Sequence, residues 1–190
     1  MGGRGPAGGG GGGAGEQGRG RRAAAPGGRL PIQTVKEVIK RDWAEGQYYV
    51  TGKLTPWVFA EDCYFREPTQ TVVGKGSVER FSNALPKLFD GDSSRTDLIS
   101  LTIQDEHTLV AKWRLEGALR LPGTPPFKPF TGTTVYKTNA KGYIARHVES
   151  WDIPTADAYF SVITGYGSKF TNSTAEPQWV GAPPAPPLPK

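Results

Sequence analysis

Residues 107–121 read His-Thr-Leu-Val-Ala-Lys-Trp-Arg-Leu-Glu-Gly-Ala-Leu-Arg-Leu. Leu109, Ala111, Trp113, Leu115, Leu119 and Leu121 occupy odd positions, while Lys112, Arg114, Glu116 and Arg120 occupy even ones. A period of two is the mark of a strand with one buried and one wet face. The run exceeds the usual strand length of about five or six residues. A strand this long has to curve, and Gly117 is the natural bending point. The stretch is therefore predicted to be the central strand of a curved antiparallel sheet.

Working outward, Ile99, Leu101 and Ile103 alternate with polar residues upstream, and Asp105-Glu106 forms the turn between the two strands. Downstream, Pro122 to Pro129 reads as a proline-rich loop. Phe130 to Thr138 reads as a strand, Asn139 to Gly142 as a hairpin turn and Tyr143 to Ile153 as the last strand. Pro154 opens a closing helix carrying Tyr159, Phe160, Val162 and Ile163.

The segment before the sheet is helical in pattern. Thr34 and Glu37 fit a capping box. Val35, Val38, Ile39, Trp43 and then Tyr49 or Val50 follow helical spacing, so one amphipathic helix is predicted over residues 35–50. Thr55-Pro56 starts a short second helix. Cys63 to Glu67 and Thr71 to Val73 read as short strands. Ser77 caps a third helix with Val78, Phe81, Leu85, Leu88 and Phe89 on one face, which Pro86 should kink or end early.

The chain has 190 residues and a net charge of +5. Five arginines against Glu16 place +4 of that charge within residues 1–31, leaving +1 for the rest. The basic pI of about 9.3 thus describes the leader, and a nucleic-acid face on the folded body is not expected. A single cysteine, Cys63, excludes an internal disulfide. With His107 and His147 as the only histidines, no zinc site is expected, and no cofactor is implied. No apolar run reaches the ~18 residues of a membrane span.

Residues 1–32 form a Gly/Arg-rich leader with too few large apolar side chains to offset its ordering entropy. Two readings compete for it: the remnant of an organelle transit peptide, which composition favours, or a Gly/Arg segment with weak RNA affinity. Residues 167–190 form a proline-rich tail with PxxP spacing. The folded body is accordingly placed at residues 33–166.

Three helices followed by four long antiparallel strands, with two short strands between the second and third helices, resembles the nuclear transport factor 2-like superfamily. Several stretches resemble one uncharacterised family of plants, algae and cyanobacteria with a SnoaL-like domain of this kind. They are residues 48–55 (YYVTGKLT), residues 60–69 (AEDCYFREPT), Trp113-Arg114-Leu115 with Leu119 to Pro122, and residues 144–152 (IARHVESWD). The resemblance covers residues 34–165. It implies an α+β cone in which a curved sheet wraps helices and leaves a pocket. It also implies a plastid address, with the mitochondrion as the alternative. It implies no reaction and therefore no catalytic residues.

Candidate site residues come from the strands. On the last strand His147, Glu149 and Trp151 share one face, and Arg146, Ser150 and Asp152 the other. His147 with Glu149 would suit a general base and its orienting carboxylate. Asp152 beside Arg146, and Glu67 beside Arg66, would suit carboxylates held ionised by a cation. The aromatic supply of Trp43, Trp57, Tyr64, Trp113 and Trp151 suits an apolar cavity, with Arg66, Glu67 and Arg146 as polar anchors. The same tryptophans also serve as core, and His107, beside Asp105 and Glu106, is expected in a solvated turn. The two functional classes are a binding module for a small apolar or amphipathic molecule, or for a protein or second copy across the sheet, and a small lyase or isomerase. A buried carboxylate or histidine with a shifted pKa lining the pocket would favour the second class.

Overall fold

The computed structural model describes residues 28–163. Residues 1–27 and 164–190, which hold most of the leader and the PxxP tail, lie outside the described residues. The described elements are α1 (Ile32–Ala44), α2 (Tyr48–Thr51), a 3-10 turn (Pro56–Val58), β1 (Phe59–Glu67), β2 (Gln70–Val72), α3 (Ser77–Leu88), β3 (Arg95–Asp105), β4 (Thr108–Ala118), β5 (Pro126–Thr138), β6 (Ile144–Trp151) and α4 (Thr155–Ile163). The six strands form one curved, unclosed sheet in the order β2-β1-β6-β5-β4-β3.

The period-two reading of β4 holds from Leu109 to Leu115, all of whose odd-numbered side chains are buried. It fails after Gly117. A register shift between Leu115 and Gly117 inserts a bulge, which moves the buried position to Ala118 and leaves Leu121 exposed. Gly117 has φ 142, and a Cβ there would lie 2.2 Å from Ser94 Oγ, so the bulge needs glycine. A second bulge between Leu98 and Ser100 puts Leu98, Leu101 and Ile103 against the core and takes Ile99 out of the predicted alternation.

The sheet is not wholly antiparallel, and β4 is not its central strand. β1 pairs with β6 in parallel, so β6 and β5 are the middle strands while β4 stands next to the edge strand β3. Strand β5 begins at Pro126, inside the predicted proline loop. Its partner there is the final bulged turn of β4, with Ala118 opposite Pro126.

The predicted helix over 35–50 is two helices. Gln47 between them adopts φ 48 and ψ 43, a left-handed conformation uncommon for a residue with a Cβ. Its side chain explains the break. Gln47 Nε2 donates to Thr96 O at 2.9 Å and to Trp43 O at 3.1 Å, and Thr96 N donates to Gln47 Oε1 at 2.8 Å. A buried amide thus pairs the backbone of the edge strand, which would otherwise be costly to bury. The capping box does not form, because α1 starts two residues before Thr34 with Pro31 at its N-cap. Gly76, not Ser77, is the N-cap of α3. Ser77 Oγ instead donates to Cys63 O at 2.6 Å, tying α3 to β1. Pro86 sits in the last turn of α3 without ending it early.

The core lies between α1, α2, α3 and the concave face of the sheet. Trp113 stacks on Trp43 at 5.9 Å, and its Nε1 donates to Thr134 Oγ1 at 2.8 Å. Gly132 on the neighbouring strand makes room, since a Cβ there would meet the Trp113 ring at 2.5 Å. Asp42 is buried on α1 and accepts from Thr55 N at 2.7 Å and Thr55 Oγ1 at 2.6 Å, fixing the start of the 3-10 turn. Leu30 N donates to Lys141 O at 2.9 Å, so contacts with the turn between β5 and β6 begin upstream of residue 33.

Candidate functional site

A cavity of about 260 Å³ opens between α3, α4 and the ends of β4, β5 and β6. Leu85, Leu88, Leu115 and Leu119 supply aliphatic wall, and Ala84, Ala158 and Val162 close the helical side. Lys128 N donates to the buried Ser161 Oγ at 3.0 Å, which pins α4 to β5 across this opening.

The aromatic wall is continuous. Ring centroids run Tyr49–Phe89 at 6.1 Å, Phe89–Phe127 at 5.8 Å, Phe127–Phe130 at 6.2 Å and Phe130–Trp151 at 5.0 Å. All five rings line the cavity. The polar edge is Glu67, Thr69 and Gln70, where β1 turns into β2. Among the described residues no Lys, Arg or His lines the cavity.

Glu67 points inward because Arg66, one position earlier on the strand, is exposed and points out. Adjacent strand residues face opposite sides, so the expected Glu67–Arg66 pair does not form. Thr69 Oγ1 donates to Glu67 Oε1 at 2.9 Å. Burial nevertheless raises the Glu67 pKa above its ordinary value.

Behind the wall lies a buried polar chain. Tyr49 hydroxyl donates to Glu149 Oε2 at 2.6 Å, and Glu149 Oε1 stands 3.2 Å from His147 Nε2. The Tyr48 hydroxyl is 3.0 Å from that of Tyr136, which accepts from Trp43 Nε1 at 3.2 Å. Burial raises the Glu149 carboxyl well above the carboxylate range, the nearby Glu67 raises it further, and Tyr49 opposes both. Burial depresses His147 to about 3. Both shifts favour the neutral form of the group concerned, which opposes an ion pair between them. Indeed the geometry between them closes no hydrogen bond on Glu149 Oε1, and His147 Nδ1 has no partner among the described residues.

His147 does not reach the cavity. Its ring is held edge-on between Phe65 at 4.8 Å and Phe81 at 5.3 Å, and Tyr136 covers it at 5.0 Å. Asp152 is exposed and accepts from Thr131 Oγ1 at 2.6 Å. It shares a strand face with Arg146 but lies six residues along, about 20 Å at strand rise, so the expected pair cannot close. Arg146 instead lies over the Tyr64 ring at 4.6 Å. Trp43 and Trp113 are buried in the core, and Trp57 is half-buried against it. Of the expected ligand-binding residues the structure brings Glu67 and Trp151 to the cavity; Trp43, Trp57, Tyr64, Arg66, Trp113 and Arg146 stand elsewhere.

Tyr49, Phe89, Phe127 and Phe130 are cavity residues that the sequence reading did not single out as a site. Phe127 and Phe130 lie at or beside the proline run that reads as a loop. Residues three apart on a regular strand face opposite sides, so the sequence carries no signal that joins this pair on one wall. His107 is exposed in its turn, as expected, with its N–H donating to Asp105 Oδ1 at 2.8 Å. Cys63 is buried, and burial pushes its thiol up to about 12, the state of an inert small hydrophobe. Among the described residues no three His, Cys, Asp or Glu side chains gather as a metal set, and no described helix is long and apolar enough to cross a membrane.

A curved, unclosed sheet wrapped on helices is a nuclear transport factor 2-like fold. Solved structures agree on the fold. The epoxide hydrolase/cyclase-like enzyme SalBIII, with a role in pyran ring formation in polyether salinomycin, superposes with TM-score 0.51 at 12% identity, over 67% of this chain and 97% of that one. A protein of ketosteroid isomerase-like fold from Catenulispora acidiphila, in complex with trimethylamine, gives 0.51 at 11% identity over 66% and 92%. No curated protein matches the chain. The family model described as Uncharacterized conserved protein (DUF2358) matches residues 33–147, more than half of the chain. The chain belongs to that family.

Proposed function

We propose that the protein binds a small apolar or amphipathic molecule in the cavity between α3, α4 and the sheet, without turning it over. The observation that carries this is the cavity itself, apolar along its walls and polar at one edge, which is the usual make-up of a small-molecule site. At about 260 Å³ it falls just below the usual lower bound of roughly 300 Å³ for drug-sized ligands, which favours a single ring or a short branched chain. His147 and Asp152 support the binding reading by their positions, one sealed in the core and the other on the outer face.

A second reading, acid–base turnover, is favoured by one observation. Glu67 lines the cavity with a raised pKa and no cation in ion-pair contact among the described residues, and Glu149 lies behind Tyr49. If it holds, the reacting acid is Glu67, not His147 or Asp152. A plastid address, with the mitochondrion as alternative, remains the proposal that the Arg-rich, acid-poor leader supports. Pairing of two copies across the sheet is a further proposal.

The binding reading is tested by titrating tert-butylbenzene while following tryptophan fluorescence, since Trp151 lines the cavity. Saturable binding that is lost in Ala84→Phe, which fills the helical side, is the expected result. Absence of binding, or binding untouched by Ala84→Phe, contradicts it. Turnover of a metabolite that disappears in Glu67→Gln while binding persists selects the second reading.

A further inference from the structure

The cavity's charge and its walls point the same way. Its lining holds one carboxyl, Glu67, and no basic side chain among the described residues. The Glu149 carboxyl behind Tyr49 is sealed from the cavity and held toward its neutral form by burial. An anionic ligand would meet the Glu67 carboxyl and no counter-charge among the described residues. The same lining holds the unbroken run of five aromatic rings from Tyr49 to Trp151. Aromatic faces attract a cation through their quadrupole, more strongly when water is excluded.

Resting on the reading of this cavity as a binding site, we propose that its ligand is a small apolar ammonium, a tertiary or quaternary amine on a compact hydrocarbon body, with its cation between Glu67 and the aromatic run. A cation at that place adds a counter-charge to the Glu67 carboxyl, which otherwise accepts from the neutral Thr69 hydroxyl, and favours its ionised form. The hydrocarbon body occupies the aliphatic end formed by Leu85, Leu88, Leu115 and Leu119. Arg66 does not compete for Glu67, because it is turned to the other face of β1.

The experiment compares two probes of the same shape, benzyltrimethylammonium and the uncharged neopentylbenzene, by calorimetric titration of the full chain. The ammonium is expected to bind at least about tenfold more tightly. Glu67→Gln should erase that margin while leaving neopentylbenzene within about twofold. Phe130→Leu, which thins the aromatic run, should weaken the ammonium more than the neutral probe and guards against misfolding of the first variant. Equal or tighter binding of neopentylbenzene, with ammonium affinity unchanged in Glu67→Gln, overturns the inference and leaves the cavity reading standing. Failure of both probes to bind overturns the cavity reading and the inference with it.

Discussion

The Tyr49 hydroxyl donates a 2.6 Å hydrogen bond to Glu149 Oε2, so a helix of one turn is anchored to a middle strand of the sheet at the edge of the cavity. Tyr49 lines that cavity and Glu149 is sealed behind it. Tyr49→Phe keeps the ring and removes the donor. Leaving a buried carboxyl oxygen unpaired should cost about 1–3 kcal/mol in urea unfolding. A loss near zero would show that the bond adds nothing to the fold.

His147 and Glu149 give opposite pH dependences. His147 has its folded pKa depressed from 6.5 to about 3, so it stabilises the fold above pH 6.5 and that stability is lost as pH falls toward 3. The loss should be on the order of 2–4 kcal/mol. His147→Phe, set among Phe65, Phe81 and Tyr136, should flatten stability across that window. Unfolding curves from pH 7 to pH 3.5 that remain parallel for wild type and variant would oppose this.

Glu149 has a folded pKa raised above its ordinary value. Its contribution is therefore fully present below the unfolded pKa and is lost as pH rises through the folded one. Glu149→Gln retains an acceptor for Tyr49 and cannot ionise. It should match wild type in acid and exceed it in thermal stability at pH 8–9. Lower stability than wild type at pH 8–9 would mean that the ionised carboxylate is the form the fold prefers.

The Trp113 site combines a stacked ring, a hydrogen bond and a neighbouring glycine. Trp113→Ala should cost about 3–5 kcal/mol, and Gly132→Ala should also destabilise, since its Cβ would meet the Trp113 ring at 2.5 Å. Denaturant midpoints read both. A neutral Gly132→Ala would mean that the ring shifts freely.

Much of this fold was legible because alternation is local. The side chains of Leu109 to Leu115 and of His147 to Glu149 face as their parity predicts. What parity cannot show is where it resets. The bulges at Leu98/Ser100 and Leu115/Gly117 each shift it by one residue, and no residue pattern announces a buried Gln47 pairing an edge strand. The site was less legible for a related reason. Glu67 and Trp151 face inward by parity, but the aromatic run joins Tyr49 of α2, Phe89 just past α3, and Phe127 and Phe130 of β5. Only the tertiary fold assembles it. Strand rise separates Asp152 from Arg146 and strand face separates Glu67 from Arg66, and nearness in sequence expresses neither.

The central claim is that the cavity beneath α4 holds a small apolar body. Its most direct test is a methyl-resolved NMR titration of the full chain with tert-butylbenzene. Saturable shifts should concentrate on the methyls of Leu85, Leu88, Leu115, Leu119 and Val162, which line the cavity, and leave Val35 and Val38 on α1 unmoved. Shifts that are absent, or spread evenly over both groups, would contradict the account.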